Sequence, residues 1–505
     1  VNQLQGQNVV ILGLGASGLA MARWCARLGA QVTVADTREA PPQLPVLREL
    51  LPHVRFVSGP FDAALVVGTE IRAVFKSPGL SPQETLPVMQ AATEAGLWIG
   101  GELSLFQQAL LQLKEDKQYA PKVLAITGTN GKTTVTSLTR HLLAWAGKSV
   151  AMAGNIGPTL LDTLAQAMDA DQLPDVWVLE LSSFQLDIDA KFEPTAAAVL
   201  NVSQDHLDWH GSLAAYAAAK ARIFGRDGLM VLNREDPLVM AMLPEPVRVK
   251  LQRPVERAYQ TFGTDMPRRP GDFGLEEVNG MAWLVRALES DETRKKRKDD
   301  EEELHIQRLM PADALRIRGR HNASNALAAL ALCGAAGCAL APILFGLREY
   351  HGEPHRVEPI GIIHGVEFFD DSKGTNVGAT AAALRGLGEE RKLVVILGGE
   401  GKGQDFSPLA APLERYARAV VLIGRDAPLI RAALGNVGLP MQDAATMEAA
   451  VAIANQRAHA GDAVLMSPAC ASFDMFDNYE HRAQVFCAAV KDLALDAGVD
   501  MESLA

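Results

Sequence analysis

The chain has 505 residues, enough for about three domains at roughly 150 residues each. Its 48 Lys and Arg against 60 Asp and Glu give a formal net charge of −12, which argues against a protein that coats nucleic acid or an anionic membrane, both polyanions. The five cysteines, at 25, 333, 338, 470 and 487, are too few and too scattered for a disulfide scaffold, and they form no CxxC pair, which speaks against a structural zinc site. With no basic segment ahead of the first apolar run, a cytoplasmic protein is expected.

Up to about residue 101, β-rich runs alternate with amphipathic stretches: a strand at 8–13, a helix-like stretch to Leu28, a strand at 31–35. That rhythm predicts a small parallel sheet covered by helices. A second α/β block opens with a strand at 122–127, followed by a helix at 135–146 and strands at 175–180, 195–202 and 229–233. The run 289–303 (ESDETRKKRKDDEEE) has nothing to bury and reads as a solvated insertion. Residues 326–347 carry no charge over a length that could span a bilayer. Gly334, Gly337 and Pro342 interrupt them, which predicts two short buried helices and no membrane segment. A third block has strands at 392–398, 419–424 and 463–467.

The most specific local signal is TGTNGKTT at 127–134, between a strand and a helical stretch. Gly128 and Gly131 permit a tight turn whose N–H groups point at phosphate oxygens, and the helix adds its positive end. Lys132 supplies a point charge and Thr133 a hydroxyl for Mg²⁺. Ile126 occupies the first glycine position of a standard P-loop, so this is the shorter GxxGK[ST] form. The turn Gly13-Leu-Gly-Ala-Ser-Gly18 with Asp36 suits a nucleotide diphosphate, and NAD or a UDP group satisfies it equally. Glu180 with Ser182 and Ser183, and Asp205 with His206, follow strands where an open α/β sheet places its chemistry, and can bind metal or anion. Lys220 by itself reads as an ordinary helix lysine. The third block also offers PHR at 354–356, DSKGTN at 371–376 and GGEGK at 398–402; the last two combine small residues with a cation, equipment for holding a carboxylate or phosphate. From the residues alone, a nicotinamide oxidoreductase and an NTPase that drives a conformational switch stay open beside a synthetic enzyme.

Taken in order, GTNGKTT, ELSSFQL (180–186), NVSQDHLD (201–208), GRHNASNALAA (319–329), PHR, DSKGTN and SPACASFDMF (467–476) resemble the Mur ligases over essentially the whole chain. Within that family they are most similar to the branch that joins D-glutamate to UDP-N-acetylmuramoyl-L-alanine. The resemblance implies three α/β domains. They are a Rossmann-like UDP-binding domain at 1–101, a central P-loop-type ATPase domain with a parallel sheet at 102–353, and a Rossmann-like amino-acid-binding domain at 354–505. It further implies a monomeric enzyme of peptidoglycan precursor synthesis that uses ATP and two Mg²⁺ ions. The substrate carboxylate takes the γ-phosphoryl group of ATP, releasing ADP and becoming an acyl phosphate; the amine of glutamate attacks it, and the tetrahedral intermediate loses phosphate. L-glutamate, or the amino acid of another Mur ligase, is the alternative acceptor.

By the same resemblance Gly128, Thr129, Asn130, Gly131, Lys132, Thr133 and Thr134 hold the ATP phosphates, with Asn325, Arg356, Asp371 and Lys373 around the nucleotide. Thr133 helps hold one Mg²⁺; Glu180, His206 and Lys220, the last as a carbamate, hold the second. Lys132, Glu180, His206 and Lys220 form the catalytic set. Gly15, Ala16, Ser17, Asp36, Thr37, Arg38 and Ser77 match the uracil-nucleotide site, and Asn155 and His206 the muramoyl site. Thr375, Lys402, Ser472 and Tyr479 match the glutamate site. Gln204, Gly374, Tyr479, Ala16 and Ser17 depart from the family pattern, each modestly.

Overall fold

In the computed structural model, residues 3–188, 191–247, 255–290, 304–388 and 391–499 are described, apart from the Asp208 side chain. The charged run at 289–303 therefore lies, beyond Ser290, outside the described residues. The chain divides into two compact units, residues 1–262 with 328–345, and residues 263–327 with 346–505.

In the first unit, short aliphatic runs become strands buried on both faces, as parallel sheets demand. The first sheet contains β1 (Asn8–Leu12), β2 (Gln31–Asp36), β3 (Arg55–Ser58), β4 (Ile71–Lys76) and β5 (Trp98–Gly100). They pair in parallel in the order β3-β2-β1-β4-β5. The direction of winding reverses at β1, so a crevice opens beyond its carboxyl end. The second sheet contains β6 (Lys122–Thr127), β7 (Val150–Gly154), β8 (Val176–Glu180), β9 (Ala196–Val199), β10 (Leu229–Asn233) and β11 (Tyr259–Phe262). These too are all parallel, in the order β11-β10-β9-β6-β8-β7. Here the switch falls at β6, between β8 and β9, and it gathers the loops that follow those three strands.

The second unit has an antiparallel sheet of β12 (Phe273–Val278), β13 (Met281–Glu289) and β14 (Leu304–Pro311), with Glu289 opposite Leu304. The charged run connects these last two strands. Its other sheet contains β15 (Glu358–Ile363), β16 (Val366–Asp370), β17 (Leu393–Gly398), β18 (Ala417–Ile423), β19 (Met441–Asp443) and β20 (Ala463–Met466). The order is β15-β16-β20-β17-β18-β19, parallel except for the β15–β16 hairpin.

Several elements differ from the sequence reading. The strand expected at 195–202 ends at Val199, because the backbone beyond it turns to bond the loop after β6: Leu200 N–H donates to Thr127 O, and Asn201 O accepts from Thr129 N–H. The helix expected from 135 starts at Lys132. The three-stranded antiparallel sheet was not expected at all. The uncharged stretch does form two helices, Arg320–Ala335 and Leu340–Glu349, separated by Gly337 at φ +82°. Among the described residues no helix is long and apolar enough to cross a membrane.

Candidate active site

At the end of β6 the chain enters the glycine loop, and Gly131 takes φ +83°, a left-handed conformation that favours glycine. The helix Lys132–Trp145 then begins with no side-chain cap. Its first internal bond runs from Val135 N–H to Gly131 O, so the N–H groups of Lys132, Thr133 and Thr134 have no acceptor within the helix and are available to an anion. Lys132 folds over its own loop, with Nζ donating to Gly128 O at 2.9 Å and Thr129 O at 3.0 Å. The loop is held from β9 by Asn201, a residue that sequence reasoning missed. Asn201 O accepts from Thr129 N–H at 2.9 Å, its Oδ1 accepts from Asn130 N–H at 2.8 Å, and its Nδ2 donates to Asn130 O at 3.1 Å.

Glu180 closes β8 opposite Ile126 and is 2% exposed. One carboxylate oxygen accepts from Asn155 Nδ2 at 2.8 Å; the other is buried with no hydrogen-bond partner. Lys220 is no ordinary helix lysine, since it is only 1% exposed. Its Nζ donates to Gly128 O at 3.0 Å and Thr127 Oγ1 at 3.3 Å, and stands 4.5 Å from the centre of the Tyr216 ring. Burial drives its pKa far down and nearby Lys132 adds to this, with Asp205 opposing. The two lysines thus share one carbonyl, and a buried carboxylate oxygen without a donor lies across the β6–β8 pair. His206 adopts φ +52°, keeps its ring half-exposed, contacts Asp205 at 3.6 Å and packs edge-on to Phe184.

The glycine turn after β1 is built with equal economy. Gly13 N–H donates to Ala35 O at 2.7 Å, and its carbonyl accepts from Ser77 Oγ at 2.9 Å. A Cβ on Gly18 would lie 1.9 Å from Gly13 O, so the helix Ala16–Arg27 reaches the turn only because that position is glycine. Asp36 accepts from Leu14 N–H at 2.7 Å and from the Arg38 backbone and guanidinium. Burial pushes its carboxyl up, but those donors outweigh it and hold the pKa at about 2. Gly15, Ala16, Thr37 and Arg38 are exposed and Ser17 is half-buried, leaving an open rim around a fixed anion.

The remaining residues lie in the second unit. Asn325 Nδ2 donates to Asn322 Oδ1 at 3.0 Å. Arg356 has a buried Nε without a partner. Asp371 is 7% exposed and accepts from Ser467 Oγ at 2.6 Å; burial raises its pKa to about 7, with Ser467 and Arg356 opposing and Asp370 adding. Lys373 Nζ stands 5.0 Å from the Tyr479 ring centre, and Lys402 Nζ 5.7 Å from that of Phe473. Thr375 N–H bonds Lys373 O, and Ser472 is buried.

Arg482 was also missed. Fully buried, it donates to Ser372 O at 2.7 Å and Cys470 O at 3.1 Å, tying the DSKGTN loop to the SPACAS loop. The signal was present: Arg482 shares the apolar face of the helix Tyr479–Asp496 with Phe486, Ala489 and Val490, at spacings of 4, 7 and 8. Likewise missed was His355, whose Nδ1 meets Asp370 Oδ2 at 2.7 Å.

The sequence matches the profiles of the Mur ligase MurD-like N-terminal domain at residues 7–101, the Mur ligase middle domain at 126–265 and the Mur ligase glutamate ligase domain at 355–470. A protein named UDP-N-acetylmuramoylalanine–D-glutamate ligase from Albidiferax ferrireducens is 72% identical over 505 residues, covering 100% of both chains. The chain belongs to the Mur ligase family. A protein of the same name from Polaromonas is 59% identical over 99% of this Mur ligase and 100% of its own length. The fold is similar to that of UDP-N-acetylmuramate-alanine ligase MurC from Thermotoga maritima (TM-score 0.52, 20% identity, 96% of this chain and 99% of that one). It is also similar to MurF ligase from Thermotoga maritima in complex with ADP (TM-score 0.55, 16% identity, 97% of each chain).

Proposed function

We propose that this Mur ligase joins D-glutamate to UDP-N-acetylmuramoyl-L-alanine at the expense of ATP, in cytoplasmic peptidoglycan precursor synthesis. The observation that carries the reading is the convergence at the β6 switch point of a phosphate loop, two lysines on one carbonyl and a buried carboxylate with an open oxygen. A carboxylate acylates an amine only after its oxygen has become a leaving group. Here the alanyl carboxylate attacks the γ-phosphorus of ATP, the bond to the ADP oxygen breaks, and an acyl phosphate results. The glutamate amine attacks the acyl carbon, a proton leaves the nitrogen, and the tetrahedral intermediate collapses with loss of phosphate. The protein's work is placement and charge neutralisation: Lys132 and the N–H groups of Lys132, Thr133 and Thr134 meet the γ-phosphoryl oxygens.

Mg²⁺ is a hard cation that takes oxygen ligands, which Thr133, Glu180 and a carbamate on Lys220 supply, with the His206 ring nitrogen beside them. Thr133 would hold one ion. Glu180, through its unpartnered oxygen, and His206 would hold another, together with Lys220. A neutral, buried lysine amine adds to CO₂ with loss of one proton and becomes a carbamate, an anion in place of an ammonium. Its lowered pKa favours that neutral form. When bound, the ions supply charge neutralisation at the phosphoryl oxygens.

Asn325, Arg356, Asp371 and Lys373 serve the nucleotide in this reading, and Gly15, Ala16, Ser17, Asp36, Thr37, Arg38 and Ser77 serve UDP. Asn155 contacts the muramoyl group, and Thr375, Lys402, Ser472 and Tyr479 the glutamate. The domain limits at 101 and 353 and a monomeric state belong to the same proposal. The test is product mass after incubation with UDP-N-acetylmuramoyl-L-alanine, Mg-ATP and each glutamate enantiomer. Ligated product, ADP and phosphate are expected only when all three substrates are present and the glutamate is the D enantiomer. Product with L-glutamate alone, or ATP turnover without an acceptor, would overturn it.

A further inference from the structure

The end of β4 carries a cation that none of these roles uses. Lys76 pairs with Leu12 across β1–β4, beside the strand that enters the glycine turn and one residue before Ser77. Its side chain is 6% exposed, and burial pulls its pKa down while Asp187 and Glu84 oppose. A buried ammonium normally recovers its lost hydration from a carboxylate or from several carbonyls. Among the described residues Lys76 has no hydrogen-bond acceptor and no carboxylate within 4.0 Å. It faces the Trp209 ring, whose centre is 5.5 Å from Nζ. Such a contact offsets far less than burial of an ammonium costs, so the stack does not account for the burial. Trp209 itself has a buried Nε1–H with no acceptor. An ammonium with no protein acceptor among the described residues, at the end of β4, and a buried N–H without one, on the short helix Leu207–His210, are thus neighbours.

We propose that Lys76 and Trp209 form an oxyanion-binding pair that takes the diphosphate of the nucleotide-sugar substrate; this rests on the reading of the chain as a UDP-sugar ligase. Donors without acceptors call for an anion. The position selects which one: Lys76 stands at the carboxyl ends of the first sheet, next to its switch point, beside Ser77 and the uncapped N-terminus of the helix Ala16–Arg27. Trp209 follows His206 by three residues, so the pair links the nucleotide turn to the segment that carries a proposed metal ligand.

The test is calorimetric binding of UDP, UDP-N-acetylglucosamine and uridine, with steady-state kinetics, on the full-length protein and three variants. Lys76→Met keeps the aliphatic stem and removes the charge, Lys76→Arg restores a cation, and Trp209→Phe keeps an aromatic ring, smaller than indole, and removes the N–H. In Lys76→Met, UDP and UDP-N-acetylglucosamine should weaken by about tenfold to a hundredfold, the loss of a charge-assisted bond, with uridine unaffected. KM for the muramoyl substrate should rise by a similar factor, with KM for ATP and kcat changing less than about threefold. Lys76→Arg should recover most of the loss, and Trp209→Phe should show a smaller loss of the same kind. If Lys76→Met does not fold, Trp209→Phe carries the same comparison. An unchanged preference for UDP over uridine in folded Lys76→Met or Trp209→Phe would overturn the pair while wild-type turnover upholds the ligase. A loss confined to the acyl substrate would overturn the diphosphate assignment. A wild-type protein that neither binds UDP nor turns over the muramoyl substrate would overturn both readings.

Discussion

Replacing Asp371 with Asn should alter the pH dependence of stability more than stability at any one pH. Asp371 follows β16, is 7% exposed and accepts from Ser467 Oγ at 2.6 Å. Burial lifts its pKa from 3.8 to about 7 despite the opposing Ser467 and Arg356. A shift of about 3 units at about 1.4 kcal/mol per unit is about 4 kcal/mol. Because the folded pKa is the higher one, the folded state binds the extra proton between the two values. The stabilisation is therefore complete below about pH 4 and is lost as pH rises through about 7. Between pH 5 and pH 8 about 3 kcal/mol of it disappears. Asn keeps the shape, accepts from Ser467 and does not titrate. Urea denaturation of both proteins across this range should show the stability difference moving by about 3 kcal/mol in favour of the Asn variant as pH rises. Parallel profiles, with a constant difference, would refute the assignment of a protonated, buried Asp371.

Two further changes separate function from folding. Lys220→Met removes two hydrogen bonds worth about 1 kcal/mol each, but Gly128 O keeps its bond from Lys132 and the burial cost of an amine is relieved. Thermal stability should hold or rise while ligation falls by about a hundredfold or more; near-normal turnover would show that Lys220 is structural only. Gly18→Ala forces a Cβ to within 1.9 Å of Gly13 O, so the turn must move. The first unit should lose about 1–3 kcal/mol and UDP binding should weaken in calorimetry, whereas unaltered UDP affinity would place the nucleotide elsewhere.

Features whose chemistry is local were legible in the sequence. β6 and β10 begin and end where their aliphatic runs do, because a run that must be covered on both faces has one way to pack. The phosphate loop was legible for a similar reason: glycine, lysine and the following helix start are contiguous. What was hidden depends on partners far along the chain. Tyr216-Ala-Ala-Ala-Lys-Ala looks like a solvated helix turn, and only the loop at 127–128, over ninety residues earlier, buries Lys220. Asn201 reads as the tail of a strand until its three bonds to the phosphate loop are seen. The β12–β14 sheet eluded the reading because β12 (FGLEEV) and β14 (LHIQRLMP) hold no regular alternation, and β14 pairs with β13 only across the charged run. Lys76, a polar end to a buried strand, has meaning only beside Trp209.

The same division bears on charge. A net −12 seems ill suited to a site for UDP, ATP and glutamate, yet the cations are placed where solvent is excluded or hydrogen-bond donors are fixed. Lys76 is buried, Lys132 lies across its loop, and Arg38 is braced by Asp36. A few desolvated charges interact more strongly with an anion than a diffuse surface excess that salt screens. Substrate affinity through Lys76 should accordingly depend on that one ammonium far more than on the overall balance of the chain.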